Sequence, residues 1–76
     1  MKGASLYQAD LSGTQLKGAD LSDSKMTGAI LSEANLHSAN LRYCNLSNTV
    51  LDNADLTDIK YNDETIWPEG FEPPVS

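Results

Sequence analysis

Residues 29–56 read AILSE ANLHS ANLRY CNLSN TVLDN ADL, and the same five-residue pattern runs through most of the chain. Leu, or Met at position 26, returns at every fifth position from Leu6 to Leu56, in eleven consecutive repeats. A small side chain stands two positions before each of them, and Asp or Asn often stands directly before. The repeating unit is therefore Ala-(Asp/Asn)-Leu followed by two mostly polar residues.

A period of five residues fits neither an α-helix nor an ordinary strand. Successive helical residues turn by about 100°, so each Leu would lie about 140° further round the helix and the Leu residues would bury nothing. On a strand, an odd period sends successive Leu side chains to opposite faces. The pattern instead predicts a chain that turns a corner in every repeat and keeps the Leu and the small residue inside.

This spacing and composition resemble the pentapeptide-repeat family over residues 4 to about 63. The resemblance implies an all-β fold, a right-handed quadrilateral parallel β-helix with about twenty residues in each coil. The repeats would then form about three coils, roughly 14 Å long at the usual strand spacing. The segment from Tyr61 to Phe71 is similar to the end segment of many bacterial, often cyanobacterial, members. We expect a β-helix over residues 1–63 and an irregular capping segment over residues 64–76.

With this coil length, residues twenty positions apart stack, which predicts the inward and outward side chains. Cys44 falls at an inward small position, where a buried thiol is inert. Buried hydroxyl groups need hydrogen-bond partners, so those of Thr14, Ser24 and Thr49 are expected to bond to the backbone. Ile30 and Val50 are expected side by side on one outward face.

Each end of the predicted solenoid exposes the apolar core and unpaired strand edges, which need a cover. Ile59 and Tyr61 are too large for their positions and should end the repeat. Ile66, Trp67 and Phe71 are expected to fold over the last coil as a plug, while Pro73 and Pro74 block strand addition. The N-terminal end shows no such device, although terminal repeats normally need a cap. We therefore expect a fragment or the C-terminal part of a larger chain, or a first coil packed against something else.

Composition narrows the function. The chain has 76 residues, one Cys and a formal charge of −6, which allow one domain, no internal disulfide and no cysteine-rich zinc site. The negative charge argues against direct binding to nucleic acid or to an anionic membrane. Seven of the eleven acidic residues lie from Asp52 onward. This acidic cluster is either a solvated end of the molecule or a surface that meets a basic partner. Neither a membrane span nor a signal sequence is recognisable. A cytoplasmic location is expected, although a removed signal would leave no trace.

Catalytic chemistry is not indicated. His37, the only histidine, falls at an outward position away from any nucleophile. Asp52, Asp55 and Asp58 lie at three different phases of the repeat and lack the spacing of a calcium loop. We therefore expect no catalytic, metal or cofactor-binding residues, and no enzyme. The residues considered for protein contact are Tyr7, Ile30, Arg42, Tyr43 and Val50; the pair Ile30 and Val50 would also suit a β-sheet with no partner.

Two functions are consistent with this pattern. The first is a non-enzymatic interaction or scaffold module, part of a larger protein or assembly, whose partner is another protein and which is a monomer or a weak homodimer. The second comes from the resemblance, because some family members inhibit a type II DNA topoisomerase through an acidic rod that mimics the duplex. A body of roughly 14 Å covers few base pairs, and Pro73 and Pro74 disfavour a C-terminal dimerisation helix.

Overall fold

Backbone pairing follows one rule throughout the computed structural model, which describes residues 2–73. Nine isolated parallel bridges are present in this range, and eight of them join residues twenty positions apart. The bridges form four columns: Ser5, Lys25, Asn45 and Ile66 (face 1); Asp10, Ile30 and Val50 (face 2); Gln15, Asn35 and Asp55 (face 3); and Asp20, Asn40 and Lys60 (face 4). Four columns of parallel pairs are the arrangement of a quadrilateral parallel β-helix.

Each side of the square is too short to form an extended strand. Within residues 2–73 there is no helix, and every β-assignment is a single bridged residue. The reason is that two of every five residues form a corner, and only the middle residue of the remaining three pairs with its neighbours. The sequence-based expectation of parallel β-pairing holds, but as a ladder of single rungs.

The corners are tight turns with a fixed backbone conformation. The Ala29 N–H, for example, donates to the Met26 carbonyl at 3.0 Å, closing a four-residue turn. A positive φ at the third residue of such a turn is the signature of type II. All twelve corner residues at this phase have φ between 57° and 74°: Gly3, Gln8, Gly13, Gly18, Asp23, Gly28, Glu33, Ser38, Tyr43, Asn48, Asn53 and Asp58. Eight of them are not glycine, so the hydrogen bonds between coils hold the backbone of these eight residues in the left-handed region.

Hydrogen bonds between coils repeat on each face. On face 2 the Leu31 N–H donates to the Val50 carbonyl at 2.7 Å, and the Val50 N–H donates to the Ala29 carbonyl at 3.0 Å. The corner adds a third bond, from the Glu33 N–H to the Asp52 carbonyl at 2.8 Å. Three backbone bonds per side tie each coil to the next, which is how such short sides remain ordered.

The interior contains the side chains that the repeat predicts. Six Leu and Met side chains are almost completely buried: Leu21, Met26, Leu31, Leu36, Leu41 and Leu46. Ala29, Ala34, Ala39 and Cys44 fill the small positions beside them. The predicted hydroxyl bonds of two residues are confirmed, since Thr49 donates to the Leu46 carbonyl at 2.7 Å and Thr14 donates to the Leu11 carbonyl. Ser24 is buried as expected.

The preference for Asp or Asn directly before Leu also has a structural cause. The side-chain oxygen of this residue accepts a hydrogen bond from the N–H two positions on, across the corner. The pairs are Asp10–Ser12, Asp20–Ser22, Asn35–His37, Asn40–Arg42, Asn45–Ser47 and Asp55–Thr57. The hydroxyl and N–H of Ser22 hold the pKa of Asp20 below its ordinary value. The outward acid or amide therefore shapes the corner.

The C-terminal end differs in part from the prediction. Ile59 is buried at the small inward position and Lys60 still pairs with Asn40, so the expectation that Ile59 is too large for its position was wrong. The larger side chain fits because, among the described residues, no further coil stacks on Ile59 and competes for its space. Trp67 packs on the core as predicted. Its ring lies 5.4 Å from that of Tyr61 and 5.3 Å from that of Phe71, measured between centroids.

Ile66 does not join this aromatic plug. Its side chain is 51% exposed, because Ile66 occupies the outward bridged position of face 1 opposite Asn45. The inward position beside it is filled by the buried Thr65. Of the two prolines expected to block strand addition, Pro73 is partly buried, and Pro74 lies outside the described residues.

Candidate functional site

Two of the proposed contact residues flank one face of the solenoid. Tyr43 lies on the corner before face 1 and Tyr7 lies on the corner after it, with 55% and 63% of their surfaces exposed. Between them runs a surface cleft of about 550 Å³. Its lining residues are Ser5, Tyr7, Asp23, Ser24, Lys25, Thr27, Tyr43 and Asn45. The structure thus brings together two aromatic side chains that stand thirty-six positions apart in the chain.

The backbone positions both tyrosines firmly. Tyr43 has φ 62°, and its N–H donates to the Asn62 side-chain oxygen at 3.2 Å. Tyr7 precedes Gln8, whose N–H donates to the Thr27 carbonyl at 2.9 Å. Because the corners on which both rings stand are tied into the ladder between coils, little backbone entropy is lost when they bind something.

The chemistry of this cleft suits binding. Lys25 and Asp23 supply one charge of each sign, and Ser5, Thr27 and Asn45 supply hydrogen-bonding groups. Exposed tyrosine rings offer apolar area together with a hydroxyl group, which is why tyrosine is enriched at interfaces. The arrangement combines aromatic walls with a polar floor.

Ile30 and Val50 lie on a different face, as the sequence predicts. Their backbones pair directly on face 2, and the two residues are 38% and 39% exposed. Val50 also lines a second cleft of about 460 Å³ at the C-terminal end of the solenoid. The other lining residues are Thr49, Leu51, Asp52, Pro68, Glu69, Gly70 and Phe71. Four of the five candidate contact residues are therefore divided between two surfaces.

Arg42 is the remaining candidate. It precedes Tyr43 on the same corner, and its N–H donates to the Asn40 side-chain oxygen at 3.1 Å. Its side chain is exposed and is not among those that line the Tyr7–Tyr43 cleft. Arg42 therefore belongs to the rim of this surface at most.

The side chains with reactive groups lie apart from both clefts. His37 Nε2 lies 3.8 Å from Asp58 Oδ2 on an outer corner. The Cys44 thiol is buried and donates to the Leu21 carbonyl at 2.7 Å. Burial raises the pKa of this thiol to about 11, which keeps it protonated and unreactive.

Across residues 2–73, no cluster of three or more His, Cys, Asp or Glu side chains could hold a metal ion. The same residues form no helix long and apolar enough to cross a membrane.

Sequence reasoning missed several lining residues that the structure reveals. Lys25, Thr27 and Asn45 join the cleft because they stack within or beside face 1. The twenty-residue stacking already contained this signal, since it places Lys25 between Ser5 and Asn45. No such signal indicated that Glu69 and Asp52 line the second cleft together, because the C-terminal segment leaves the repeat.

A family model described as pentapeptide repeats matches residues 1–28 and 29–60, with 8 copies. Comparison with curated protein sequences gives no significant match.

Three solved structures are similar to this chain. The chain is 31% identical to the pentapeptide repeat protein Rfr23 from the cyanobacterium Cyanothece 51142 (TM-score 0.43), covering 83% of this chain and 43% of that one. It is 34% identical to HetL from the cyanobacterium Nostoc sp. strain PCC 7120 (TM-score 0.48), covering 92% and 35%. HetL is described as involved in the regulation of heterocyst differentiation.

The third structure is QnrB1, a plasmid-mediated fluoroquinolone resistance protein, with 20% identity and a TM-score of 0.51, covering 78% of this chain and 38% of that one. At this identity the likeness shows a shared fold. The chain spans less than half the length of each of the three proteins, at 43%, 35% and 38%.

Proposed function

The chain belongs to the pentapeptide-repeat family, and from this premise we propose that it is a non-enzymatic protein-interaction or scaffold module within a larger protein or assembly. The proposal includes a right-handed β-helix of about three coils, with residues 64–76 as its C-terminal cap. The partner is another protein, and the module itself is a monomer or a weak homodimer.

The observation that carries the proposal is the cleft between Tyr7 and Tyr43. Most other outward side chains are small and polar, whereas this face offers two exposed aromatic rings on a rigid frame. Interface energy concentrates in a few aromatic and Arg side chains. A partner that inserts a side chain or a loop between the rings would contact Lys25 and Asn45 on the floor of the cleft.

Affinity capture with matched variants tests this proposal. The double variant Tyr7→Ser/Tyr43→Ser removes both walls of the cleft, and Gln15→Ser/Lys17→Ser changes two exposed residues that line neither cleft. A protein retained by the wild type and by the Gln15/Lys17 variant, with at least about tenfold weaker binding to the tyrosine variant, would support the proposal. Equal binding by all three purified proteins would refute the role of this cleft.

The second candidate is a DNA-mimicking inhibitor of a type II topoisomerase. What favours it is the crowding of acidic side chains toward the C-terminal end, with seven of eleven from Asp52 onward. The size argues against it, because the Cα atoms extend only 26 × 26 × 21 Å. A gyrase supercoiling assay separates the two functions: inhibition at micromolar protein would support mimicry, and its absence at the highest soluble concentration would eliminate it.

The absence of enzymatic activity is part of the proposal. Two observations support it. The only side chain paired with His37 by an ion-pair contact in the described range is Asp58, on an outer corner, and the Cys44 thiol is buried. Any reproducible turnover that His37→Ala abolishes would overturn it.

A further inference from the structure

The face 2 edge at the C-terminal end of the solenoid carries backbone groups without partners. One coil earlier, the equivalent groups all pair: the Ala29 carbonyl accepts from Val50, and the Leu31 and Glu33 N–H groups donate to the next coil. The corresponding groups in the last paired coil are the Thr49 carbonyl and the N–H groups of Leu51 and Asn53. Among residues 2–73 none of these three groups has a hydrogen-bond partner.

Face 1 shows what such an edge binds. There the chain itself adds one further rung, because the Leu46 N–H donates to the Ile66 carbonyl at 2.7 Å and the Ile66 N–H donates to the Cys44 carbonyl at 2.9 Å. A single extended residue with a β-branched side chain outward thus satisfies this type of edge. Face 2 offers the same register of donors and acceptor one corner further along.

The space above the face 2 edge is walled on its other side. The Pro68–Phe71 segment crosses the end of the solenoid and, with Thr49–Asp52, lines the cleft of about 460 Å³. Pro68 has no N–H group, and no backbone bond joins the segment to Leu51 in the described range. The volume is within the range of about 300–1,000 Å³ typical of ligand sites. The edge is therefore accessible but confined, as a strand-binding groove is.

The charge of this groove selects the ligand. Asp52 and Glu69 line it, and no Lys, Arg or His side chain does. Both acids are exposed, so they would act on a ligand by steering and at the rim rather than as buried pairs. Val50 adds an apolar, β-branched side chain to the lining of the groove.

We propose that this groove binds an extended, basic peptide segment of a partner protein by strand addition to the Leu51 edge. The peptide backbone pairs with Leu51, Asn53 and Thr49, an apolar peptide side chain stacks beside Val50, and basic side chains approach Asp52 and Glu69. Main-chain hydrogen bonds supply affinity in this mode and the alternate side chains supply specificity. The inference rests on the proposed interaction function and names a second surface for it, separate from the Tyr7–Tyr43 cleft.

Amide NMR of the full chain with a defined probe tests strand addition. The probe is the capped hexapeptide Lys-Val-Lys-Val-Lys-Val, compared with a version whose Lys residues are Glu and a version N-methylated at alternate amides. The expected result is that the first peptide alone shifts the Leu51 and Asn53 amide signals and slows their hydrogen exchange about tenfold. Shifts centred on Tyr7 and Tyr43, no shifts at all, or equal binding of the N-methylated peptide would each overturn the proposal.

Matched charge reversals give a second test. Asp52→Lys/Glu69→Lys changes the groove, whereas Asp63→Lys/Glu64→Lys makes the same charge change at exposed positions on another corner of the same end. We expect the first variant to bind the hexapeptide at least about tenfold more weakly than the second, with both melting like the wild type. If both variants bind the hexapeptide equally weakly, net charge alone determines binding, and the proposal that the peptide binds in this groove is refuted. Failure here together with intact partner binding through Tyr7 and Tyr43 would leave the proposed function standing.

Discussion

Ile66 pairs its backbone with Asn45, twenty-one positions earlier, whereas each of the eight other bridged pairs spans twenty positions. The additional residue lies in the corner Asn62–Glu64, where the Tyr43 N–H donates to the Asn62 side-chain oxygen in place of a backbone carbonyl, and Thr65 still enters the small inward position. The Thr65 hydroxyl donates to the Leu41 carbonyl at 2.8 Å, just as the Cys44 thiol donates to Leu21 one coil earlier. The longer corner thereby directs Trp67 onto the end of the core.

Thr65→Val should destabilise the protein by about 1 kcal/mol, because the isosteric change leaves the buried Leu41 carbonyl without its hydroxyl donor. Urea denaturation followed by circular dichroism measures the change. Ser32→Ala, which removes a hydroxyl group at a corner position of the middle coil, serves as the control and should have little effect. If both variants unfold at the wild-type midpoint, the hydroxyl bond has no role in holding the last rung.

Leu31→Ala should cost about 2–5 kcal/mol, because the Leu31 side chain is fully buried and its removal leaves a cavity. In a chain of 76 residues this would lower the melting temperature by roughly 4–8 °C for each kcal/mol. Ser32→Ala, one position further on the corner, should melt like the wild type. Similar melting temperatures for the two variants would contradict the assignment of inward and outward positions.

Gly28→Ala should destabilise more than Gly13→Ala. Both glycines have positive φ, 74° and 69°, so either alanine incurs strain of about 1–2 kcal/mol. At Gly28 the new Cβ would also lie 3.1 Å from Gln8 Cγ, whereas nothing lies within 4 Å at Gly13. Thermal melting compares the two, and the double variant Gly28→Ala/Gln8→Ala should recover the difference. Equal melting temperatures for the two single variants would show that Gln8 moves aside freely.

Acidification should weaken the fold through its corner carboxylates. The donors of Ser12, Ser22 and Thr57 hold the pKa values of Asp10, Asp20 and Asp55 below the ordinary 3.8. A carboxyl whose folded-state pKa is lowered stabilises the fold above its unfolded pKa, so this contribution is lost as pH falls from about 5 toward 2.

A pair of variants at Asp20 separates the carboxylate charge from the hydrogen bond. Asp20→Asn keeps the acceptor, as Asn40 shows on the same face, and should melt near the wild type at neutral pH with a smaller loss on acidification. Asp20→Ala removes the acceptor and should melt lower at every pH. Identical behaviour of the two variants would exclude the corner hydrogen bond as the cause of the Asp/Asn preference.

Cys44 should resist thiol reagents until the protein unfolds. Its thiol is buried and its pKa is raised from 9.0 to about 11. Since the folded pKa is the higher one, the thiol favours the fold below about pH 9 and loses this contribution as pH rises toward about 11. Labelling with a chromogenic disulfide at increasing urea should follow the unfolding curve, and Cys44→Ala should show a shallower loss of stability in alkali. Rapid labelling of the native protein would contradict the inward placement.

The repeat body can be predicted from the five-residue pattern because its packing depends on contacts within one repeat and between stacked coils. The position of Leu31 in the core, the pairing of Ile30 with Val50 and the inert Cys44 all follow from a period of five and a coil of twenty residues, the latter supplied by family resemblance. The errors at Ile59 and Ile66 lie where the period breaks, because there the available volume depends on which segment lies above and not on the repeat itself.

By itself, the sequence determined the corner in every repeat, the inward Leu and small residues, and the Asp or Asn that braces the turn, because each of these depends on interactions within one repeat or between neighbouring coils. Only the tertiary structure decided that Tyr7 and Tyr43 line one cleft, that Ile66 forms an outward rung, and that Glu69 and Asp52 line the same cleft. These relationships depend on how the coils close and on where the C-terminal segment leaves the repeat, and interactions within one repeat determine neither.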